Sequence, residues 1–199
     1  MQETLLKYFP PEVAPLVESI IKENKIHFTI SPNRKSKAGD YRSPRNGSGH
    51  RISVNGSLNK YAFTITFFHE YAHLLVWENY GSKADPHGNQ WKTIFSKILQ
   101  KLIDNNIFKG SLAAAVKSYS LSPKASTDSD IFLARELKSY DKKSDFLKPL
   151  FEIDQGYKFK LENGRIFVKG EMKRTKIWCK EYGTNSIFAF NPNAEVIEL

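Results

Sequence analysis

The sequence contains a single cysteine, Cys179, among its 199 residues. One thiol cannot form a disulfide within the chain, and it cannot build a structural zinc site from several thiolates. A reducing compartment is therefore expected, and Cys179 is predicted to be a small buried apolar residue. The sequence also lacks the run of roughly 18 apolar residues that a membrane-spanning helix needs, so an integral membrane protein is not expected.

The first fifteen residues lack the basic start, the apolar stretch and the small-residue cleavage site of a secretory signal. Export is therefore not expected, and the cytoplasm is the predicted location. Acidic residues are in the minority, because 30 Lys and Arg against 21 Asp and Glu give a formal net charge of +9. This excess favours anionic partners such as nucleic acid or an acidic surface, and the sign alone does not choose between them.

The order of the sequence patterns predicts an α+β core of helix, sheet, helix and helix. Apolar residues at helical spacing follow Pro10 and Pro11, which suit the first turn of an opening helix. The next thirty residues contain three short β-like runs, and the loops between them are too short for helical crossovers, so a small antiparallel sheet is expected. Two further helices are predicted over about residues 58–79 and 91–102.

Composition divides the chain into three predicted regions. The core extends over residues 1–109, and residues 110–150 form a helical or irregular connector that is rich in Ser, Lys and Asp. Residues 151–199 form a small β-rich C-terminal subdomain, because four segments there alternate with the period of strands. The expected arrangement of those strands is a β-meander.

The predicted second helix contains His69, Glu70 and His73 in the spacing His-Glu-x-x-His. Residues four apart lie on the same side of a helix, so the two imidazoles can bind one metal ion. Both histidines fall on the apolar stripe of this helix, which points them into the protein. Glu70 has the residue type and position that a zinc hydrolase needs to accept a proton from water activated by the metal. The pattern therefore predicts one catalytic Zn²⁺ ion.

Catalytic zinc generally needs a third protein ligand and leaves the fourth position for water. We favour His87, which precedes the third helix and can return to the pair as the chain reverses direction. His50 and His27 are the alternatives, and histidines at such positions are more often structural. A third-helix carboxylate is excluded, because residues 88–103 contain neither Asp nor Glu.

Several linked features together resemble the SprT-like zinc metallopeptidases, the Spartan-related family. The matching segments are Ser36-Lys37-Ala38-Gly39-Asp40-Tyr41-Arg42, Arg51-Ile52-Ser53-Val54-Asn55, Leu58-Asn59, His69-Glu70-Tyr71-Ala72-His73 and His87-Gly88-Asn89-Gln90-Trp91. The resemblance covers roughly residues 10–105. It implies a zincin-like core, His69, His73 and His87 as zinc ligands, Glu70 as the general base, and proteins crosslinked to DNA as substrates.

The chain departs from many members of that family in its C-terminal region. Those members have a zinc ribbon with four cysteines there, whereas this chain has Cys179 alone. We therefore expect a degenerate, metal-free ribbon held together by aromatic packing, and a DNA-binding role does not transfer to it directly. The aromatic residues expected to form its core are Phe159, Phe167, Trp178 and Phe188.

Two segments are rich in basic residues. The first lies between Ser31 and Arg51, has Asp40 as its one acidic residue, and is interpreted as a nucleic-acid-binding surface beside the active site. Its basic residues are Arg34, Lys35, Lys37, Arg42, Arg45 and Arg51. In the second, from Tyr157 to Glu181, basic residues are interleaved with aromatic ones. That pattern suits either binding of single strands or a solvated strand face.

The sequence thus predicts a zinc endopeptidase that acts on DNA-associated proteins and is associated with the nucleoid when bound to DNA. Two alternatives stay open. One is a DNA-binding adaptor that keeps the zinc site for structure and has no peptidase activity. The other is a regulatory peptidase whose positive charge serves solubility or an acidic partner. The protein substrate and the oligomeric state do not follow from the sequence.

Overall fold

The computed structural model describes residues 2–34, 37–45, 47–141, 147–184 and 186–199, and only the backbone of residue 128. These residues form two compact units, Met1–Asp141 and Lys142–Leu199. Within the described residues, the first unit has six α-helices and a three-stranded sheet, and the second has a six-stranded sheet. The predicted α+β class is confirmed.

The first unit begins with a helix that the sequence patterns did not predict. Its helices are α1 (Gln2–Tyr8), α2 (Ala14–Glu23), α3 (Lys60–Tyr80), α4 (Asn89–Asp104), α5 (Gly110–Ser120) and α6 (Ile131–Lys138). Pro10 and Pro11 lie in the turn between α1 and α2, where Val13 and Ala14 donate backbone hydrogen bonds to the Pro10 carbonyl. A different proline, Pro15, occupies the first turn of α2.

The predicted antiparallel sheet is a mixed sheet, which corrects that part of the fold prediction. Its strands are β1 (His27–Ser31), β2 (Gly39–Arg42) and β3 (Arg51–Asn55), in the spatial order β1, β3, β2. β1 is parallel to β3, and β2 is antiparallel to it. Because β2 brings the chain back before β3 begins, a parallel pair forms here without the long crossover that a directly connected parallel pair requires.

Helix α3 passes through the centre of the first unit. Asn59 caps its N-terminus by accepting hydrogen bonds from the backbone N–H groups of Tyr61 and Ala62, and the helix ends at Gly81, whose φ of 63° favours glycine. Buried residues lie on almost every side of the helix rather than along one stripe, as is typical of a helix enclosed by other elements. None of the described helices is long and apolar enough to cross a membrane.

The hydrophobic core of the first unit contacts α3 from several elements. Phe9, which follows α1, makes edge-to-face contacts with Phe63 and Phe67 of α3 at centroid distances of 4.9 and 5.5 Å. Helices α5 and α6 contribute Leu112 and Leu133, among others, to the same cluster. Helices α5 and α6 therefore pack on the core of this unit, and the sequence-based division into three regions stays a prediction.

The second unit contains the predicted β-meander and two further strands. Its strands are β4 (Leu147–Pro149), β5 (Lys158–Lys160), β6 (Ile166–Lys173), β7 (Lys176–Glu181), β8 (Ile187–Phe190) and β9 (Glu195–Glu198). Strands β5 to β8 are paired in sequence order, and β9 lies between β4 and β5. Every pairing is antiparallel.

The core of the second unit differs in part from the aromatic packing expected. Phe159 and Phe167 are fully buried, and Cys179 is buried as predicted. Trp178 is 44% exposed, because residues alternate along β7 and its neighbours Ile177 and Cys179 point into the core. The remaining buried residues of this core are Leu150, Ile153, Ile177 and Val196.

Phe188 is also partly exposed, at 36%, and its ring lies 5.5 Å from that of Phe167. Some basic side chains of this unit contact its own exposed rings. Lys158 Nζ lies 3.8 Å from the ring centroid of Tyr182, and the Arg165 guanidinium lies 4.7 Å from that of Phe188.

Candidate metal centre

Three histidines converge in the first unit. Nε2 of His87 lies 3.1 Å from Nε2 of His69 and 3.1 Å from Nε2 of His73, and the latter two atoms are 3.3 Å apart. One ligand atom from each of the three residues can therefore bind the same metal ion. His69 and His73 occupy successive turns of α3, as the sequence spacing predicts.

His87 reaches the other two histidines through a tight turn. The chain leaves α3 at Gly81, passes through a short 3-10 turn over Gly81–Lys83, and closes a further turn in which Gly88 N–H donates to the Asp85 carbonyl at 3.1 Å. Gly88 is the residue before α4, so His87 lies where the chain reverses between two packed helices.

Trp91 packs beneath the three imidazoles. It is fully buried in the first turn of α4, and its ring centroid lies 4.6, 5.5 and 4.7 Å from those of His69, His73 and His87. Its indole N–H points at the His69 carbonyl at 3.4 Å. The sequence patterns placed Trp91 at the start of the third predicted helix and assigned it no role at the site, although its position four residues after His87 was a usable signal.

The environment keeps the three imidazoles neutral. Burial, followed by the neighbouring histidines, lowers the pKa of His69 from its ordinary 6.5 to about 3. Burial and His87 lower the pKa of His73 to about 4, and burial also lowers that of His87. Neutral imidazole is the form that binds metal ions, so the site is suited to a cation at neutral pH.

Glu70 lies beside the triad with its side chain buried. Burial, followed by the nearby Asp40 carboxylate, raises the pKa of Glu70 from its ordinary 4.5 to about 8, although the backbone N–H of Tyr41 hydrogen-bonds to the carboxylate and favours its ionised form. Glu70 is thus a carboxyl group whose proton affinity is matched to neutral pH, as proton-transfer groups require.

Strand β2 contacts Glu70 through its backbone, at Tyr41 and at Gly39. A β-carbon on Gly39 would overlap the Glu70 carboxylate, and it would lie 2.7 Å from Cγ2 of Thr66. Only glycine therefore allows this close approach of strand and helix. The sequence patterns placed Gly39 in a strand without a role at the site.

The triad and Glu70 line a cleft of about 1120 Å³. Five of the six basic residues predicted to bind nucleic acid line the same cleft, and we call them the basic wall. They are Arg34, Lys37, Arg42, Arg45 and Arg51. The sixth, Lys35, lies outside the described residues. Ala125, Ser126 and Thr127, which precede α6, line the cleft as well.

The charges of the basic wall are not equally available. Lys37 and Arg42 form ion pairs with Asp40 at 2.6 and 2.8 Å. Arg34 and Arg51 each have a buried Nε without a hydrogen-bond partner in the described part of the protein. Arg34, Arg45 and Arg51 form no ion pair among the described residues, so an anionic partner can bind them without breaking one.

The two alternative third ligands lie elsewhere. His27 is exposed on β1. His50 precedes β3 and bonds through its two ring nitrogens to Tyr41 and Glu78, at 3.0 and 2.9 Å. Neither belongs to the group of histidines that can share a metal ion.

The SprT-like family model matches residues 7–115, which is more than half of the chain. The Protein SprT sequences of Salmonella arizonae, Salmonella newport and Salmonella heidelberg are each 55% identical to this chain over 31 residues. That stretch covers 16% of this chain and 18% of each relative. No solved structure matches this chain. With the family match extending across α2, the sheet, the three histidines and α4, this chain belongs to the SprT-like family.

Proposed function

We propose that this protein is a zinc-dependent endopeptidase with a zincin-like core, and that it acts on proteins bound or crosslinked to DNA. One observation supports the proposal most directly. Three Nε2 atoms lie 3.1 to 3.3 Å from one another, beside the buried carboxyl group of Glu70. This is the ligand set and the acid-base group that hydrolysis of an amide bond with zinc requires.

The donor set fits zinc in number, type and spacing. Two nitrogens bound to one tetrahedral Zn²⁺ at its usual bond length of roughly 2.0–2.1 Å are about 3.3 Å apart. The three His–His distances agree with that value to within a few tenths of an ångström. Zinc held by His69, His73 and His87 would polarise the peptide carbonyl and lower the pKa of water to about 7.

Glu70 would transfer the protons of the reaction. Its carboxylate accepts the proton of the attacking water and then delivers it to the nitrogen of the departing amine. A pKa of about 8 in the metal-free protein makes the carboxyl a good proton donor at neutral pH. A divalent charge next to it favours the carboxylate and hence proton acceptance.

The open edge of β2 would hold the substrate. Within the described residues β2 pairs with β3 alone, so its other edge can pair with a further strand, except at the Tyr41 N–H, which bonds Glu70. Gly39, Asp40, Tyr41 and Arg42 all line the cleft that contains the triad. An extended peptide can pair with such an edge, which would place an internal peptide bond beside the three histidines. This arrangement favours cleavage within a chain.

The basic wall would hold nucleic acid near the site of cleavage. Phosphates bind clustered Arg and Lys through charge and counterion release. Arg34 and Arg51 suit this role better than Lys37 and Arg42, which are already paired with Asp40. A protein attached to DNA would then be presented to the same cleft.

Glu70→Gln tests the proposed chemistry. The variant keeps the shape of the side chain but cannot accept a proton, so we expect it to bind one zinc ion per chain and to cleave nothing. The substrates are an unfolded protein and a protein crosslinked to a DNA oligonucleotide. Glu12→Gln, which makes the same change at an exposed carboxylate outside the cleft, should cleave like the wild type.

Cleavage that survives Glu70→Gln would refute the assignment of the base. Stoichiometric zinc and DNA binding without any turnover by the wild type would favour the adaptor. Proteolysis that is independent of DNA would favour the regulatory peptidase.

A further inference from the structure

Tyr41 of β2 contacts two residues of α3, Glu70 and His73. Its backbone N–H hydrogen-bonds to the Glu70 carboxylate, and its ring lies nearly parallel to that of His73, with an angle of 9° and a centroid distance of 6.3 Å. Its hydroxyl lies 3.0 Å from Nδ1 of His50. One residue of the edge strand therefore contacts the general base through its backbone, and a metal-binding histidine and a second polar group through its side chain.

His50 extends this line of contacts back to α3. Its Nε2 lies 2.9 Å from Oε1 of Glu78, which is on the same helix as Glu70. A carboxylate can only accept at that position, so Nε2 carries the hydrogen, and the tautomer with its hydrogen on Nε2 has a lone pair on Nδ1 to which the Tyr41 hydroxyl donates. Tyr41, His50 and Glu78 form a hydrogen-bonded network, and β2 is attached to α3 at both Glu70 and Glu78.

The position of β2 determines the orientation of the Glu70 carboxylate. Gly39 and the Tyr41 N–H both adjoin that carboxylate, so a shift of the strand changes its surroundings directly. Within the described residues β3 is the only strand that pairs with β2, and a strand at a sheet edge is easily displaced. The network is a second means of holding it in place.

We propose that Tyr41, His50 and Glu78 are positioning residues for the reaction and act through Glu70 and His73. This inference rests on the proposed peptidase function. Hydrogen bonds one step removed from a metal-binding group orient that group, and their loss typically lowers activity about 10–100-fold. The effect falls on kcat more than on KM, because the network adjoins the reacting groups, whereas pairing with β3 still holds the peptide-binding edge of β2 in the sheet.

Tyr41→Phe removes the hydroxyl and keeps the ring and the backbone. We expect zinc content and melting temperature close to those of the wild type, a kcat lower by about tenfold, and a much smaller change in KM. Amide hydrogen exchange at residue 41 should become faster, because the N–H that bonds Glu70 is held less firmly. Tyr71→Phe is the matched control, since the Tyr71 hydroxyl bonds to Asn24 outside the cleft, and we expect it to leave kcat and the exchange at residue 41 unchanged.

Two substitutions of His50 test whether its hydrogen bond to Tyr41, rather than the packing of its ring, supports the reaction. Asn places an acceptor near the position of Nδ1, so His50→Asn can still bond Tyr41, whereas His50→Ala cannot. Partial recovery of kcat in His50→Asn relative to His50→Ala is expected. The double variant Tyr41→Phe, Glu78→Gln should lose no more activity than Tyr41→Phe alone, because both changes break one network.

A wild-type kcat in Tyr41→Phe, with active wild-type enzyme beside it, would overturn the inference and leave the proposed function intact. Additive losses in the double variant would overturn it as well. If the wild type cleaves nothing, the proposed function fails, and the inferred role in the reaction fails with it. Hydrogen exchange at residue 41 then still decides whether the network holds β2.

Discussion

Gly39 of β2 lies against Glu70 of α3 so closely that a β-carbon at residue 39 would overlap the Glu70 carboxylate. The two residues are separated by about thirty positions in the sequence, and their contact joins the edge strand to the proposed general base. A side chain at residue 39 would push the carboxyl group away from the triad or force β2 away from the helix.

Gly39→Ala adds a single methyl group, yet we expect it to lower both stability and activity. We expect a loss of stability of about 1–3 kcal/mol from overpacking, together with a large fall in kcat. Thermal unfolding and cleavage of a protein substrate measure the two effects. Gly49→Ala is the control. A β-carbon there would lie 3.3 Å from the Lys25 carbonyl oxygen, which is a milder steric conflict outside the site. Full activity in Gly39→Ala would contradict the close approach of strand and helix.

Removal of any one histidine should abolish zinc binding. His87→Ala leaves two imidazoles, which do not complete a catalytic zinc site. We expect metal analysis to find about one zinc per chain in the wild type and almost none in His69→Ala, His73→Ala or His87→Ala. His27→Ala is the matched control, since His27 is exposed on β1, and it should keep its zinc. Zinc retained by His87→Ala would show that another residue completes the site.

Helical spacing is sufficient to predict the pair His69 and His73, because i and i+4 lie on one side of any α-helix. The expected return of the chain after α3 favours His87, and the structure brings it within 3.1 Å of both partners. Local alternation identifies the segments that form β1, β2 and β3. Such local patterns involve only residues that are close in sequence, so they can be recognised without knowledge of the fold.

Contacts between distant segments are not predictable in the same way. The parallel pairing of β1 with β3 depends on which strand lies at the centre of the sheet, and alternation within a strand contains no such information. His50 is a candidate metal ligand by residue type alone, whereas in the structure it bonds Tyr41 and Glu78. The role of Gly39 depends on a residue in a distant helix. Each of these features requires the three-dimensional arrangement of β2, β3 and α3.

The zinc-free protein should lose stability as pH rises towards 8. The pKa of Glu70 is about 8 in the folded protein and 4.5 ordinarily, so the folded state binds this proton more tightly than the unfolded state does. The stabilisation that this tighter proton binding gives the folded protein is complete below about pH 4.5. It declines as pH rises between the two pKa values, and it is absent above the folded-state pKa of about 8. The lowered pKa values of His69 and His73 act in the opposite direction, but below about pH 6.5.

Between pH 6.5 and 8 the effect of Glu70 can therefore be isolated. We expect the difference in unfolding free energy between wild type and Glu70→Gln, both stripped of zinc with a chelator, to change by at most about 1.4 kcal/mol per pH unit. The wild type should lose its relative stability as pH rises, and the difference should level off above pH 8. Urea titrations at several pH values measure it. A difference that is flat across this range would mean that Glu70 is ionised in the metal-free protein.

Binding of DNA to the basic wall should depend on Arg34 and Arg51 more than on Lys37 and Arg42, because those two are already paired with Asp40. Replacing both arginines by Gln should weaken DNA binding at low salt. It should also reduce the slope of log K against log salt concentration by about one for each phosphate that is no longer neutralised. Binding titrations at several salt concentrations, with single- and double-stranded oligonucleotides, measure the slope.

The control must remove the same charge from another surface, since the net charge of +9 alone attracts DNA. Lys97 and Lys101 are exposed on α4 outside the cleft, so the double variant with Gln at both positions lowers the charge equally. A long-range effect of charge would weaken binding to the same extent in both variants. A specific interaction predicts that the slope falls only in the Arg34 and Arg51 variant, and equal behaviour of the two would remove the basic wall as the DNA-binding surface.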